Sequence, residues 1–326
     1  MLNSADFPII QYWIPKDELT QLVYVHSRSF VSNFDSIKNA ANREKAIYDE
    51  HIYINKTELL EIISESLKAF DYEPEGIGVE LGAGCAAISV ELALSNPKIE
   101  KIYAVEIVPE IVEIAQKNLI QIYNLSKTVI PVVGSFDAIK ESDNTIDFAV
   151  EFDSFHHSFD LQRTISESCR VLKPGGKLLI IDRSHWNANK KRRLELENQV
   201  YSEKFLLERG WDTSKKITRS DNGEHEYLLS EYLNAIKKAG FREVNWNQFI
   251  DPSWSFLKLS LISTIPSFLR RNTRYSYIQM WPIHKTLVPV LLMKLFKIKK
   301  FGNFIAMPKK PGSKRFQSKT IICATK

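Results

Sequence analysis

Apolar positions follow two alternating periodicities between about residues 76 and 185. The runs GIGVEL, KIYAVEI, TVIPVV, IDFAVEF and KLLIID are almost continuously apolar, which is typical of strands buried on both faces. Between them, CAAISVELALS, PEIVEIAQKNLIQIYNL and LQRTISESCRVL carry apolar residues at helical spacing. Strands that alternate with helices in this way predict an α/β fold with a doubly wound, mostly parallel sheet.

The segments on either side of this alternation are mainly helical in pattern. LLSEYLNAIKKAGFREVNWNQFI predicts a further helix, a stop at Gly240 and a further strand. Either NFIAMPKK or KTIICATK could supply the last strand of the sheet. The pattern therefore predicts an N-terminal helical cap at 1–75, an α/β core at 76–186, a charged helical insertion at 187–230, and at 231–326 the end of the sheet with a basic, aromatic insertion at about 252–318.

Charge is distributed unevenly along the 326 residues, although the formal net charge is only +5. From Asp251 to Lys326 there are fifteen lysines and arginines and one acid, which gives that segment a charge of +14. A segment so basic either neutralises an acidic body or faces an anionic partner.

The sequence favours an intracellular compartment. The first twenty residues lack a basic start followed by an apolar stretch, so no secretory signal is expected. No apolar run reaches the roughly eighteen residues that cross a bilayer. Cys85, Cys169 and Cys323 lie far apart and form no CxxC pair, which indicates reduced thiols and no zinc site. We expect a cytoplasmic location, with peripheral contact to the inner membrane surface as an option.

A glycine turn follows the first apolar strand. The spacing Gly82-x-Gly84-x-x-Ala87 allows a tight turn and directs free helix-start N–H groups at a ligand. Glu106 ends the next strand, where an acid can accept hydrogen bonds from ribose hydroxyls. This combination suits NAD as well as S-adenosylmethionine, so the turn alone leaves both open.

Four stretches in order separate these two cofactors. They are VELGAG with Glu80, GSFDA, AVEFDSFHH and RVLKPGGKLLIID. Together they resemble the class I S-adenosylmethionine-dependent methyltransferases that act on small molecules, over about residues 76–185 and more loosely over 224–241. The resemblance implies S-adenosylmethionine as cofactor and a seven-stranded Rossmann-like sheet with six parallel strands and a last antiparallel strand.

The resemblance also implies which residues hold the cofactor. Gly82, Ala83 and Gly84 would hold its methionine part, Glu80 would lie under the turn near its amino group, Glu106 would hold the ribose, Phe136 and Asp137 the adenine, and Ile107, Ser135, Glu151 and Phe152 would complete the site. Two alternatives stay open at this point. Glu80 could be a buried acid that ties together the N–H groups of the turn, and Asp137 could cap a following helix.

Three histidines are candidates for the base that deprotonates the methyl acceptor. His156 and His157 follow the fourth strand and His185 follows the fifth, at the sheet edge where ligands bind. Histidine changes charge near neutral pH, which suits that role, although either adjacent ring could simply pack in the structure. No metal site is expected, because neighbouring side chains point in opposite directions and no HExxH pattern is present.

The function expected from the sequence is methyl transfer to an oxygen or nitrogen of a small or medium-sized metabolite, which could be anionic or linked to a lipid or sugar. An NAD-dependent oxidoreductase and a non-catalytic binding protein with the same fold are the alternatives. The basic C-terminal part could form a lid over the acceptor, an interfacial patch for anionic membrane, or an oligomer contact. The clustering of its aromatic residues with aliphatic ones does not favour nucleic acid.

Overall fold

A single ten-stranded sheet forms the centre of the computed structural model. The structure describes residues 8–14, 56–184, 189–208, 213–250, 287–306 and 319–326. The strands are β1 (Gln11–Tyr12), β2 (Gly76–Leu81), β3 (Ile99–Glu106), β4 (Val129–Val133), β5 (Ile146–Phe152), β6 (Leu172–Arg183), β7 (Glu243–Ile250), β8 (Lys300–Phe301), β9 (Phe304–Ala306) and β10 (Lys319–Thr325). Their order in the sheet is β1-β4-β3-β2-β5-β6-β10-β7-β9-β8.

The helices alternate with the central strands, as the apolar pattern predicts. They are α1 (Lys56–Ala69), α2 (Ala87–Ser95), a π-helix (Ile111–Gln116) continued by α3 (Lys117–Ile122), α4 (Leu161–Val171), α5 (Lys190–Glu197), α6 (Glu203–Glu208), α7 (Leu229–Ala239) and α8 (Leu287–Phe296), with 3₁₀ turns at Phe155–His157 and Ser220–Asn222. The stop at Gly240 is confirmed, because this glycine has a φ of 99°, the left-handed geometry that ends many helices.

The expected number of seven strands is wrong. Three short strands, β1, β8 and β9, extend the sheet at its two ends. Neighbouring strands from β1 to β6 are parallel, whereas β10 runs antiparallel to both β6 and β7. The sheet is therefore larger than expected, whereas the antiparallel last strand, β10, is as expected. Strands of two or three residues carry too little periodicity to be found in a sequence.

Both candidates for the last strand are strands. Lys319–Thr325 is β10, which lies between β6 and β7 and pairs with both over nearly its whole length. Phe304–Ala306 is β9, which lies outside β7 and pairs with it in parallel. The sequence left this choice open because both segments are apolar and short, and only the pairing tells them apart.

The N-terminal part departs from the expected helices at one place. Gln11 and Tyr12 form β1, which pairs with the end of β4. The helix α1 at Lys56–Ala69 is as expected. Tyr48 and Tyr53, which the sequence suggested could close over the cofactor, lie outside the described residues.

Helices cover both faces of the sheet, which explains why its central strands are apolar on both sides. On one face, Val79 of β2 belongs to a core cluster with Ile165 of α4 and Ile236 of α7. On the other face, Phe148 of β5 belongs to a cluster that includes Ile62 of α1. This is a Rossmann-like α/β architecture, whose ligand sites lie beyond the carboxyl ends of the parallel strands. Among the described residues, no helix is both long enough and apolar enough to cross a membrane.

Candidate functional site

The glycine turn after β2 requires its glycines for two different reasons. Gly82 has a φ of 72°, and a Cβ added there would lie 2.3 Å from the Cβ of Ser154. Gly84 has a φ of 51°, but an added Cβ would meet no atom within 4 Å. Gly82 thus lets the loop after β5 pack against the turn, whereas Gly84 leaves open space beside the backbone.

Glu106 is bound to this turn by its carboxylate. Its Oε2 accepts a hydrogen bond from the N–H of Gly84 at 3.0 Å, and its Oε1 accepts bonds from the N–H groups of Ile107 at 2.8 Å and Val108 at 3.0 Å. Burial raises the pKa of Glu106, while these backbone bonds lower it. A carboxylate oxygen has two lone-pair sites, so Oε2 keeps one for a ligand hydroxyl.

Gln116 also hydrogen-bonds to the glycine turn, a contact that was not predicted from the sequence. This fully buried side chain donates from Nε2 to the carbonyl oxygen of Gly84 at 2.8 Å. It ends the π-helix Ile111–Gln116, a local form that is frequent at functional sites. Nothing in the helical periodicity of this segment distinguishes a π-turn from an α-turn, so the sequence offered no signal for it.

Glu80 lies beneath the turn and bonds to the helix that follows it. Its Oε2 accepts bonds from the N–H of Ser89 at 2.9 Å and from the Ser89 hydroxyl at 2.5 Å. The side chain is buried, and burial raises its pKa to about 7. In this geometry the carboxyl group joins β2 to α2, through Ser89 of the helix rather than through N–H groups of the turn. The thiol of the nearby Cys85 has its pKa raised to about 11, mainly by burial.

Glu80→Gln should change how stability depends on pH. Because the pKa of Glu80 rises from 4.5 when unfolded to about 7 when folded, the folded protein holds this proton more tightly. Its contribution to stability is full below pH 4.5 and is lost as pH rises through 7. As the pH rises from 4.5 to above 7, we expect the free energy of unfolding of wild type to fall by up to about 3 kcal/mol relative to that of Glu80→Gln.

Urea unfolding of both proteins at a series of pH values measures this difference. Equal changes in the two free energies of unfolding over the interval would contradict it. Glu91→Gln, at a half-buried position of the neighbouring helix α2, is the control and should leave the wild-type pH dependence in place.

The expected adenine side of the site follows β4. Ser135 accepts from the N–H of Asp137 at 3.1 Å and forms an isolated bridge with Ala138. The ring of Phe136 packs edge-on against Phe155 at a centroid distance of 5.6 Å. The Asp137 carboxylate accepts a hydrogen bond from Thr164 of α4.

No helix begins directly after Asp137, so the capping alternative is not what the structure shows. The described residues that follow, 138–145, contain turns and bends, and the next helix is α4. The N-cap of α4 is Asp160, whose side chain accepts from the N–H of Arg163 at 3.1 Å. Asp137 instead joins the β4 loop to the first turn of α4.

Glu151 and Phe152 end β5 next to the glycine turn. Glu151 pairs in register with Leu81, and its Oε1 accepts from the N–H groups of Ser154 and Phe155. Its Oε2 is buried without a hydrogen-bond partner in the described part of the chain. Burial and the nearby Asp182 raise the pKa of Glu151 well above its usual value. An unpaired buried oxygen is costly, so this atom is available to a polar group of a ligand.

His156 and Asp182 form a buried pair that joins the 3₁₀ turn after β5 to the end of β6. The Nδ1 of His156 lies 2.8 Å from Oδ1 of Asp182. Each Asp182 oxygen accepts two bonds in all. Oδ1 accepts from Nδ1 of His156 and from the N–H of Arg183, and Oδ2 accepts from the hydroxyl of Tyr232 and from the backbone N–H of His156. Since a carboxylate only accepts, Nδ1 of His156 carries a proton and donates it to Asp182 in this hydrogen bond.

The second histidine has a different environment. His157 is half-buried, and its Nδ1 lies 3.2 Å from the carbonyl oxygen of Gly223. Its ring packs on that of His156 at a centroid distance of 4.3 Å. Burial and the neighbouring His156 lower the pKa of His157 to about 3, so its ring is neutral. His185, the third candidate, lies outside the described residues.

Two cations, a buried lysine and a half-buried arginine, balance the carboxylates beside His156 and Asp182. Asp153 has a φ of 54°, rare for a residue other than glycine, and its carboxylate forms an ion pair with Lys319, the first residue of β10. The guanidinium of Arg183 lies 3.7 Å from the same carboxylate. Lys319, His156 and Arg183 together hold the pKa of Asp153 well below its usual range.

Three of these side chains are also of the kinds that bind metals. Possible ligand atoms of Asp153, His156 and Asp182 lie within 4.8 Å of one another. The Lys319 ammonium already neutralises Asp153, and both Asp182 oxygens accept two hydrogen bonds each. The cluster is therefore best explained by its internal bonds, which hold His156 in place.

Residues 219–227 lie against the two adjacent histidines, His156 and His157, which we call the histidine pair. The N–H of His225 donates to the carbonyl oxygen of His156 at 2.7 Å. Glu224 accepts from Arg183 and from Arg219, and Arg219 also pairs with Glu226. These charges are partly or fully buried, so the segment is tied to the edge of the sheet rather than lying loosely over it.

These features fit S-adenosylmethionine. The open space at Gly84 would accept the methionine part, Oε2 of Glu106 has a site left for a ribose hydroxyl, and Oε2 of Glu151 lacks a partner. All three lie at the carboxyl ends of β2, β3 and β5, the edge at which Rossmann-like sheets bind cofactors.

Comparison with known proteins gives a family match. A family model described as "Methyltransferase domain" matches residues 79–180, which run from the middle of β2 into β6. No curated protein matches the chain by sequence.

Solved structures with a similar fold include two methyltransferases. A possible histamine N-methyltransferase from Thermotoga maritima is 18% identical, with 85% of this chain and 93% of that chain covered and a TM-score of 0.46. A phosphoethanolamine N-methyltransferase 2 from Haemonchus contortus, solved with S-adenosylhomocysteine, is 13% identical, with 90% of this chain and 60% of that chain covered and a TM-score of 0.49. The likeness is too distant to carry further argument about activity.

The family match covers the glycine turn, Glu106, the loop after β4 and the histidine pair. It agrees with the four stretches that separated S-adenosylmethionine from NAD. The chain accordingly contains a methyltransferase domain over residues 79–180, with S-adenosylmethionine as its cofactor.

Proposed function

We propose that this methyltransferase modifies an oxygen or nitrogen atom of a small or medium-sized metabolite, with His156 as the base. The observation that carries the proposal is the 2.8 Å contact between Nδ1 of His156 and Asp182. A carboxylate that holds Nδ1–H orients the ring and stabilises the imidazolium once Nε2 takes up a proton, as in other His–Asp pairs.

For methyl transfer, the protein mainly has to align the acceptor with the methyl group and remove the acceptor's proton. S-adenosylmethionine supplies an already activated methyl group, so the chain has to place the acceptor and receive its proton. Nε2 of His156 takes the proton that the acceptor loses as its oxygen or nitrogen gains the methyl group. Asp182 stays ionised, because His156, Arg183 and Tyr232 all donate to it.

The cofactor residues are proposed as follows. Gly82, Ala83 and Gly84 hold the methionine part, with Glu151 and Phe152 beside it; Glu106 and Ile107 hold the ribose; and Ser135, Phe136 and Asp137 hold the adenine. Glu80 has a supporting role, since its carboxyl group bonds to Ser89 of α2.

The acceptor pocket is proposed to lie between the histidine pair and residues 219–227. Arg183, Arg219 and Lys319 bring positive charge to this edge, although acids partner each of them. An anionic or polar acceptor suits such surroundings better than a purely apolar one. The division into a helical cap at 1–75, a core at 76–186, an insertion at 187–230 and a C-terminal part at 231–326 belongs to the same proposal.

Calorimetric titration with S-adenosylhomocysteine and, separately, with NADH tests the cofactor assignment. We expect micromolar binding of S-adenosylhomocysteine and no heat with NADH. Binding of NADH alone would overturn the assignment. A protein that binds S-adenosylhomocysteine but methylates no member of a panel of amines, phenols, alcohols and carboxylates would instead support a non-catalytic binding protein.

A further inference from the structure

Large apolar side chains are exposed together in one region far along the chain. Thirteen large hydrophobic residues are exposed in the described structure, and six of them lie within residues 288–301. We call these six the α8 patch: Val288, Leu291, Leu295, Phe296, Ile298 and Phe301. Monomeric proteins rarely gather exposed apolar residues in this way unless the surface binds something.

The helix that carries the patch is held in place by its opposite side. Val290 and Met293 of α8 are buried against Ile250, the last residue of β7. Val288, Leu291 and Leu295 recur at intervals of three and four residues, which places them on one face of the helix, and they are 60%, 37% and 61% exposed. Phe296 is 67% exposed at the end of that helix. The helix therefore packs with one face and presents a second apolar face outward.

The charge around the patch has a single sign. Residues 287–306 contain four lysines, at 294, 297, 299 and 300, and no acid. Lys297, Lys299 and Lys300 are exposed, in sequence alternation with Ile298 and Phe301 of the patch. Apolar residues interleaved with lysines are the pattern of segments that bind at the surface of an anionic bilayer. A contact between two copies of such a surface would bring like charges together.

Strand register relates the patch to the catalytic edge of the sheet. Asp182 of β6 pairs with Thr320 of β10, Thr320 with Gln248 of β7, Gln248 with Phe304 of β9, and Phe304 with Phe301 of β8. Phe301 is thus four strands from Asp182 along one row, or about 19 Å at the usual strand spacing. The patch and the His156–Asp182 pair lie at the same end of the strands.

We infer that the α8 patch binds the surface of an anionic lipid bilayer. The six apolar side chains enter the interface between headgroups and acyl chains, while Lys297, Lys299 and Lys300 contact lipid phosphates and carboxylates. The protein binds peripherally, on the cytoplasmic side where anionic lipids are concentrated. Its catalytic edge then lies close to the bilayer, where the acceptor is reached at or near the membrane surface.

Flotation with phosphatidylcholine vesicles, with and without phosphatidylglycerol, tests this inference. We expect wild type to float with the anionic vesicles at low salt, to remain behind with neutral vesicles, and to be released by added salt. Lys299→Gln with Lys300→Gln should lower the partition coefficient about 30-fold, or about fivefold per lysine. The matched control neutralises Lys237 and Lys238, exposed at the end of α7, and should bind as wild type does.

A second pair of variants tests the apolar part. Leu295→Ser with Phe296→Ser should lose vesicle binding, whereas Leu94→Ser with Ile122→Ser, at exposed positions outside the patch, should retain it. Titration with S-adenosylhomocysteine checks that every variant keeps its folded cofactor site. Wild type that stays unbound with anionic vesicles would overturn the inference, as would equal losses in patch and control variants. Wild type that self-associates through the patch instead of binding vesicles would overturn it too.

Discussion

His156→Ala should lower the rate of methyl transfer by about 10²- to 10⁴-fold, the range that a positioned base contributes. The variant loses the nitrogen that receives the acceptor's proton but no part of the glycine turn. We therefore expect its affinity for S-adenosylhomocysteine to stay within about twofold of wild type, since positions that touch only the acceptor change rate rather than cofactor binding. Formation of S-adenosylhomocysteine with an acceptor found by the panel measures the rate.

His157→Ala is the matched control for this prediction. Its ring packs on that of His156, but burial lowers its pKa to about 3 and its Nδ1 faces the carbonyl oxygen of Gly223. We expect a loss of less than about tenfold, because this ring fills space and does not take up the proton. A wild-type rate in His156→Ala would refute the assignment, and the same comparison with His185→Ala would then show whether that residue is the base.

Asp182→Asn separates orientation from proton transfer. An asparagine in this position can offer its NH₂ group to Nδ1 and so favour the wrong tautomer of His156. We expect a fall in rate of the same order as in His156→Ala, and no further fall when the two substitutions are combined, because the two residues act as one unit. Additive losses in the double variant would mean that Asp182 acts independently of the histidine.

Glu106→Ala should weaken binding of S-adenosylhomocysteine about 100-fold. A hydrogen bond from a ribose hydroxyl to the remaining site on this carboxylate, worth up to about 3 kcal/mol, accounts for this loss. The N–H of Gly84 also loses its acceptor, which loosens the turn that holds the methionine part. Calorimetric titration measures the change in dissociation constant.

Two further variants make the Glu106 result specific. Glu106→Gln keeps one carbonyl oxygen as an acceptor, so we expect an intermediate loss of about tenfold. Glu100→Ala removes an exposed acid from the other end of β3 and should leave binding unchanged. If Glu106→Ala bound as tightly as wild type, the ribose would be held elsewhere; if Glu100→Ala weakened binding equally, the effect would reflect net charge rather than this contact.

Local features of the sequence were sufficient to locate the glycine turn that we propose as part of the cofactor site. Residues Gly76–Ser95 form a strand, a glycine turn and a helix in succession. Each of these elements depends on residues close in the chain, so the local sequence predicts it. Glu106 follows from the same logic, because the end of the next parallel strand must lie beside the first. Repeated alternation of this kind determines the α/β class by itself.

Contacts between distant residues could only come from the tertiary structure. His156 and Asp182 were both recognised near the substrate edge, but their hydrogen bond joins residues 26 apart and distinguishes His156 from His157. Lys319 pairs with Asp153 across 166 residues, and it does so only because β10 inserts between β6 and β7. A sequence records which side chains are apolar or charged; pairing depends on strand order, which follows from the packing of the whole sheet.

The exposed face of α8 was likewise predicted only in part from the sequence. From the sequence, LVPVLLMKLF was a short apolar helix whose basic neighbours allowed a lid, a membrane patch or an oligomer contact. Only the packing of Val290 and Met293 on Ile250 shows which side is buried and which apolar residues remain at the surface. Period thus determined the fold class and composition the charged C-terminal part, because these depend on residues close in the chain, whereas four short stretches indicated the cofactor through their resemblance to a known family. The tertiary structure decided the contact between His156 and Asp182, the number of strands and the exposed face of α8, because these depend on residues brought together from far apart.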